Sequence, residues 1–277
     1  MRTQVTSNLC CLASAVVTGA ARGIGREVAL RLAAHGYDVL VTDVDEAGAQ
    51  ATAEAIGERG RAMQQDVRDP ESHRAVARAA AERGPIEVWV NNAGILRTEK
   101  AWEHSDDDVR LMTEANLLGV FWGARAAVDA MRAGGGHLVN LASMSAFGPV
   151  PGLAVYGATK HGVLGFSESL QGDLEDAGIP IRVHAVCPDG VDTRMVRDRI
   201  DDPDAAIIFS GGKKLLEPAD VAEKIVGLLD STAIVLTIPR GRAALARFAG
   251  RYPRTGLRTL SFFKKVGERN RRKVLES

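Results

Sequence analysis

The 277-residue sequence predicts an α/β fold, a doubly wound parallel sheet with helices on both faces in three αβα layers. Three observations carry that expectation. Short apolar runs alternate with longer helical patterns along the chain, the order a parallel sheet requires. A glycine-rich turn, Thr18-Gly19-Ala20-Ala21-Arg22-Gly23-Ile24-Gly25, stands between the first such run and the first helical pattern. Asp43 closes the second run, 24 positions after Gly19.

The elements follow in order. Residues 13–17 read as the first strand, the glycine turn follows, and a helix spans 25–35. Residues 38–42 form a second strand ending at Asp43, and the Ala/Glu-rich stretch 46–59 a second helix. A short third strand at 61–65 ends at Asp66, and a helix covers 70–83. Strand 86–90 closes in Asn91-Asn92-Ala93-Gly94, and a long helix runs over 106–132. Gly134-Gly135-Gly136 breaks it and leads into strand 137–141. A helix over 153–177, strand 181–186, helix 218–230 and strand 234–238 complete the sheet. With no internal repeat and no interior Pro/Gly/Ser linker, residues 1–239 form one domain and 240–277 an extension.

Composition narrows the class. The 45% hydrophobic content is that of an ordinary soluble protein, and no apolar run approaches the roughly 20 residues that span a bilayer. Net charge is zero, but residues 240–277 hold twelve Lys/Arg against two acids while the rest holds 23 against 33. A basic tail therefore sits on an acidic body. Three cysteines fit a reducing compartment, and a cytoplasmic location is expected. Cys10 and Cys11 are adjacent and suit neither a zinc site nor a redox pair; Cys187 reads as a small buried hydrophobe. Arg2 and the apolar run 9–17 imitate a signal peptide, but cleavage there would remove the strand that feeds the glycine turn.

The motifs suggest chemistry. A glycine turn between strand and helix lets backbone N–H groups and the helix dipole meet a pyrophosphate. Alone it is a weak signal; the preceding strand, the following helix and Asp43 strengthen it. A carboxylate at Asp43 can accept from both ribose hydroxyls and repels a 2′-phosphate, which argues for NAD(H) over NADP(H). Arg22 pulls the other way by pairing with a phosphate, and ranks below Asp43. Tyr156 and Lys160 lie one helical turn apart, with Ser143 thirteen residues before the tyrosine. An ammonium beside a phenol favours the phenolate and lowers its pKa from about 10, giving a general acid/base for an alcohol/carbonyl couple. Ser143, just past strand 137–141, is preferred over Ser145 as the donor to a carbonyl oxygen, since ligands bind at carboxyl ends of parallel strands. Each residue also has an ordinary explanation. Tyr-x-x-x-Lys is most often a surface pair, Ser143 a cap, Asp43 a turn residue and Asn116 a solvated helix position. His161 faces another side of its helix, and His184 reads as a satisfied strand histidine.

Together these motifs, with Asp66-Val67, Asn91–Gly94 and Asn116, resemble the short-chain dehydrogenase/reductases in their single-domain, Rossmann-type form, over residues 13 to about 239. The resemblance implies that Asp66 and Val67 hold the adenine and that Asn92, Ala93 and Gly94 border the cofactor. Lys160 would also bind the nicotinamide ribose, and Asn116 would hold a water in a proton relay through Lys160 to Tyr156. Val191, through its backbone, and Thr193 would hold the carboxamide, and Pro188 beside them also belongs to the cofactor set. The expected catalytic set is Asn116, Ser143, Tyr156 and Lys160. Gly19, Arg22, Gly23, Ile24, Gly25, Asp43 and the groups just named complete the cofactor set, and no metal is expected. One departure stands out: Asp189 occupies the position where the family usually has glycine, which puts the local backbone in doubt.

After Thr193, residues 194–216 lack a clear sheet element and correspond to the family's flexible substrate lid. Met195, Val196, Ile207, Ile208 and Phe209 there, with Phe147, Val150 and Leu153, suit a hydrophobic steroid- or terpene-like alcohol or ketone, or simply pack on the core. The tail interleaves Lys/Arg with Leu245, Phe248, Tyr252, Leu257, Leu260, Phe262 and Phe263. Peripheral contact with an anionic membrane and packing on the body of its own or a neighbouring subunit both stay open, while no nucleic acid is expected. The reading is an NAD(H)-preferring oxidoreductase, a homodimer or homotetramer. Its rivals are an NADPH-dependent carbonyl reductase and a non-catalytic cofactor sensor or scaffold on the same fold.

Overall fold

The structure is a computed structural model that describes residues 13–211 and 214–275. The expectations for Cys10, Cys11 and the start of the run at Leu9 lie outside the described residues. Strands buried on both faces carry near-continuous apolar runs, as in β1 (Ser14–Thr18), β2 (Asp38–Asp43), β4 (Ile86–Asn91), β5 (Gly136–Leu141) and β6 (Ile181–Pro188), while the less buried β3 (Gly60–Gln64) and β7 (Val235–Ile238) form the edges. Every neighbouring pair is parallel, in the order β3-β2-β1-β4-β5-β6-β7. Val17 stands opposite Val41 on one side and Val90 on the other. The order reverses between β1 and β4, which opens a crevice at their carboxyl ends.

Alternate residues of each strand feed the two faces. Ala15, Val17, Val41 and Val90 pack with Val28 and Leu32 of α1 (Gly23–Ala34) and Ile225 of α8 (Pro218–Val226). Val16, Leu40, Trp89 and Leu138 pack with Val76 of α3 (Pro70–Ala81) and with Ala127 and Met131 of α5 (Gly119–Met131). Fully burying each such Val or Leu contributes about 1.5–3 kcal/mol. Polar caps place the helix starts: Asp45 accepts from Gly48 N at the head of α2 (Glu46–Ile56), and Ser105 from Asp108 N at the head of α4 (Asp106–Thr113).

Several boundaries differ from expectation for local reasons. α2 stops at Ile56, short of 59, because Gly57 takes φ +84, a conformation other residues rarely adopt. The long helix over 106–132 is interrupted by a π-turn, Glu114–Leu118, which carries the buried Asn116. α6 (Ala154–Asp176) holds Tyr156 and Lys160 as expected. The segment after Thr193 contains a short α7 (Arg194–Arg197) and a 3-10 stretch, Pro203–Gly211, and Leu216 bridges to Val191. The tail is helical throughout its described length, as α9 (Arg240–Arg251) and α10 (Pro253–Leu275), and it folds back over the 3-10 stretch of its own chain. No described helix is long and apolar enough to cross a membrane.

Candidate active site

The crevice begins at the glycine turn. Gly19 and Gly23 take φ +63 and +58, and a Cβ on Gly19 would press to 2.6 Å from Ala93 Cα. Asn92 fastens the turn by donating from Nδ2 to the carbonyls of Thr18 (2.9 Å) and Gly19 (2.8 Å). A Cβ on Gly25 would meet that same Nδ2 at 2.5 Å. Sterically, then, these three positions require glycine, and the turn leaves an open cradle above the start of α1.

Asp43 ends β2 beside the cradle, where Oδ2 accepts from Ala21 N and Oδ1 from Asp45 N, both at 3.0 Å. Arg22 is turned onto Asp45, Nη2 to Oδ2 at 2.5 Å. The Arg68 guanidinium, bonded to Asp66 at 2.6 Å, holds the Asp66 carboxyl below the usual carboxylate range. Buried His73 donates from Nε2 to the carbonyl oxygen of Val67 at 2.9 Å. Asp66 and Val67 are thereby held along the crevice wall.

At the far side the predicted chemical groups converge. Ser143 follows β5, and its Oγ accepts from Ser145 N at 3.2 Å beside the Tyr156 hydroxyl. Lys160 Nζ donates to Leu141 O at 2.6 Å and lies 5.7 Å from the Tyr156 ring centre. Asn116 is fully buried and clamps Ile95, accepting from its N–H at 2.7 Å and donating to its carbonyl at 2.9 Å. Gly94 allows this approach, since a Cβ there would lie 3.0 Å from Asn116 Oδ1 and 3.7 Å from Lys160 Nζ.

The electrostatics correct one expectation. Burial, not the Lys160 ammonium, sets the direction for the Tyr156 phenol and pushes it up to about 12, with Ser143 acting against this. Tyr156 keeps some surface open to the cavity, but the enclosing walls remove water from around its hydroxyl. The same desolvation lowers Lys160 to about 8. Cys187 lies fully buried beneath both, its thiol pushed up to about 12, as an inert packing group. His161 bonds the Gly157 carbonyl and His184 the Ala233 carbonyl, so both are satisfied structural histidines.

One cavity of about 770 Å³ joins these parts. Its walls include Gly19, Asp43, Asp66, Gly94, Ser143, Tyr156, Lys160, Pro188, Val191 and Thr193. Ile24 and Ala93 also border it, as do Met195, Val196, Ile207 and Ile208 of the segment after Thr193. Phe209 is buried beneath that segment and does not reach the cavity. The reading of the sequence did not place the tail in this wall, which Arg242, Leu245, Leu260 and Phe263 among others help to form. Arg242 pairs with Asp189, Nε to Oδ2 at 3.0 Å, so the departure from glycine is taken up by an ion pair rather than a distorted backbone. A buried carboxylate demands a cation, but no spacing in the chain says which one.

A family model described as short chain dehydrogenase matches residues 13–204. The chain is 37% identical over 196 residues to the 3-oxoacyl-(acyl-carrier-protein) reductase FabG of Escherichia coli, covering 70% of this chain and 80% of that protein. It is 32% identical over 226 residues to the Vibrio harveyi protein of the same name, covering 80% of this chain and 92% of that one. A solved short chain dehydrogenase/reductase from Burkholderia phymatum, in complex with NAD, superposes with a TM-score of 0.79 at 27% identity, over 85% of this chain and 92% of its own. The 3-ketoacyl-(acyl-carrier-protein) reductase of Brucella melitensis, complexed with NADH, gives 0.75 at 30% identity, over 83% and 98%. This chain, with its cradle, crevice and matching sequence, belongs to the short-chain dehydrogenase/reductase family and is an NAD(P)-dependent oxidoreductase.

Proposed function

We propose that the protein interconverts an apolar secondary alcohol and its ketone with NAD(H), with Tyr156 moving the proton. The observation that carries this reading is the convergence of Ser143, Tyr156 and Lys160 in the cavity that also holds the glycine cradle. When bound there, the nicotinamide supplies or accepts the hydride at the substrate carbon. In reduction, the Ser143 hydroxyl and the Tyr156 phenol, side by side in the cavity wall, are placed to share one carbonyl oxygen. Tyr156 gives that oxygen its proton as negative charge develops, and the Lys160 ammonium offsets the charge left on the phenol. Burial keeps Tyr156 protonated at neutral pH, which suits it to act as an acid. Asn116 acts behind them, fixing Ile95 and hence the Gly94 turn against Lys160, and is the residue assigned to the proton relay.

Preference for NAD(H) is supported by two carboxylates at the ribose end. Asp43 faces the cavity, and the charge of Arg22 is already matched by Asp45. Both solved relatives hold NAD or NADH. Pro188, Val191 and Thr193 are assigned to the carboxamide, since Thr193 stands close to the glycine turn: its Cγ2 would lie 3.2 Å from a Cβ on Gly23. The apolar wall of Met195, Val196, Ile207 and Ile208 supports a hydrophobic ketone. The names of the FabG relatives favour a second reading of the substrate, a 3-oxoacyl thioester.

A homodimer or homotetramer is supported by the aromatic side chains Phe121 and Trp122 of α5 and Phe166 of α6, which the single chain leaves only half-buried. Exposed Phe248, Tyr252 and Phe262 among the tail's bases support peripheral contact with an anionic bilayer from a cytoplasmic location. The test of the chemistry is NADH oxidation with a panel of lipophilic ketones and acetoacetyl-CoA, using Tyr156→Phe as control. Turnover that persists in Tyr156→Phe would sink the assignment of the acid. NADH binding without turnover of any ketone would favour a cofactor-sensing scaffold.

A further inference from the structure

The match to the family model ends at residue 204, and the two tail helices begin at Arg240. Those helices are clamped to three separate parts of the cavity. Arg242 pairs with Asp189 at 3.0 Å and donates from Nη2 to Ser210 Oγ at 3.1 Å. Gly211 closes over this junction, where a Cβ would stand 2.6 Å from Asp189 Oδ2 and 2.7 Å from Arg242 Nη1. The Arg247 guanidinium lies 4.4 Å from the Phe147 ring centre, on the loop that precedes Tyr156. In α10, Asn270 Nδ2 donates to Phe209 O at 3.0 Å and Arg271 Nη1 to Asp202 O at 2.5 Å. A Cβ on Gly267 would clash with the Ala206 carbonyl, so helix and lid backbones touch directly. The inner side of this assembly presents Leu245, Leu260 and Phe263 to the cavity that holds Tyr156.

We infer that α9 and α10 form the distal substrate wall of the active-site cavity, that Phe263 and Leu260 there contact the apolar part of the ketone, and that the Asp189–Arg242 pair latches this wall to the Pro188–Thr193 loop. This rests on the ketone reading given above and adds the part of the chain that receives the substrate's bulk. The latch has physical grounds beyond proximity. Asp189 is 13% exposed and Arg242 27%, so the pair is screened little by water. Burial raises the Asp189 carboxyl and Arg242 opposes this, as expected of a carboxylate that needs its partner to stay charged. Asp189 N also donates to Ile238 O at 2.8 Å, immediately before the tail departs from the sheet. Asp189 is thus a positioning residue joining three elements.

Two measurements on the full chain test the inference. In the first, kcat/KM with NADH is taken along a series of 2-alkanones from 2-butanone to 2-undecanone. Phe263→Ala is expected to lower the ratio of the longest to the shortest about tenfold, the size of effect a lost apolar contact gives. An unchanged ratio would overturn the wall. In the second, hydrogen–deuterium exchange compares wild type with Arg242→Ala and Arg242→Lys. Arg242→Ala is expected to raise exchange together in residues 188–193, 203–211 and 240–251, with Arg242→Lys restoring most of the protection. A rise confined to 240–251, or none, would overturn the latch. If wild type reduces no ketone of the series, the apolar-ketone reading fails and the wall built on it falls too, while the exchange result still decides the latch.

Discussion

The two ends of the cavity, assigned in the proposals above to the dinucleotide and to the substrate, are built by different means. The dinucleotide end is a matter of backbone: a glycine turn, the strand ends beside it, and Asn92 fastening Thr18 and Gly19. The substrate end is a matter of side chains brought from far along the chain, with Asp189 meeting Arg242 and Phe209 meeting Asn270. One ion pair at each end sharpens the contrast. Arg22–Asp45 is the shorter, at 2.5 Å, but its side chains are 46% and 41% exposed. Arg242–Asp189 is longer, at 3.0 Å, and largely shielded. Shielding decides their value, because water screens the first and leaves the second nearly unscreened.

The largest expected effect lies where the two ends meet. Tyr156→Phe should lower kcat by about 10²–10⁴, the usual contribution of a general acid, while fluorescence titration finds NADH affinity little changed. The pH profile follows from Lys160. Its pKa is held down at about 8, so the ammonium is present below that pH and is lost above it. Ketone reduction should therefore be flat near neutrality and fall through pH 8, by about tenfold per unit once the charge is gone. Lys160→Arg, charged throughout that range, should flatten this limb, and an unmoved limb would assign the titration to another group.

Smaller effects separate the ends themselves. At the substrate end, Arg242→Ala leaves a shielded carboxylate without its partner and should cost about 1–3 kcal/mol in urea denaturation. At the dinucleotide end, Asp43→Ala should weaken NADH binding about tenfold and narrow the preference over NADPH, read as the ratio of the two dissociation constants. Smallest of all, Arg22→Ala should change stability by less than about 1 kcal/mol by the same denaturation assay. If Arg22→Ala cost as much as Arg242→Ala, the contrast drawn from shielding would not hold.

Much of this was readable from residue types and spacing. All seven strands and the helix bearing Tyr156 and Lys160 lie within a few residues of where periodicity puts them, because each reflects a local pattern of apolar residues. Asn116, whose ordinary explanation was a solvated helix position, is instead buried in the π-turn that interrupts its helix. The direction of the Tyr156 shift was misjudged. Spacing along the helix brings an ammonium near a phenol, but how far the surrounding walls strip water from both is a property of the packed cavity. The overrun of α2 past Gly57 has a simpler cause, since helix propensity alone does not say which glycine will turn left-handed.

The sequence by itself determined the parallel sheet, the glycine turn and the choice of Ser143, Tyr156 and Lys160 as groups that share one cavity, because these depend on short-range pattern and on steric demands within a few residues. Only the tertiary structure decided what Asp189 meets, where the basic tail goes and which way burial moves Tyr156 and Lys160. Those outcomes depend on which distant side chains share a dehydrated space, and desolvation and pairing there act through position in three dimensions rather than through separation along the chain.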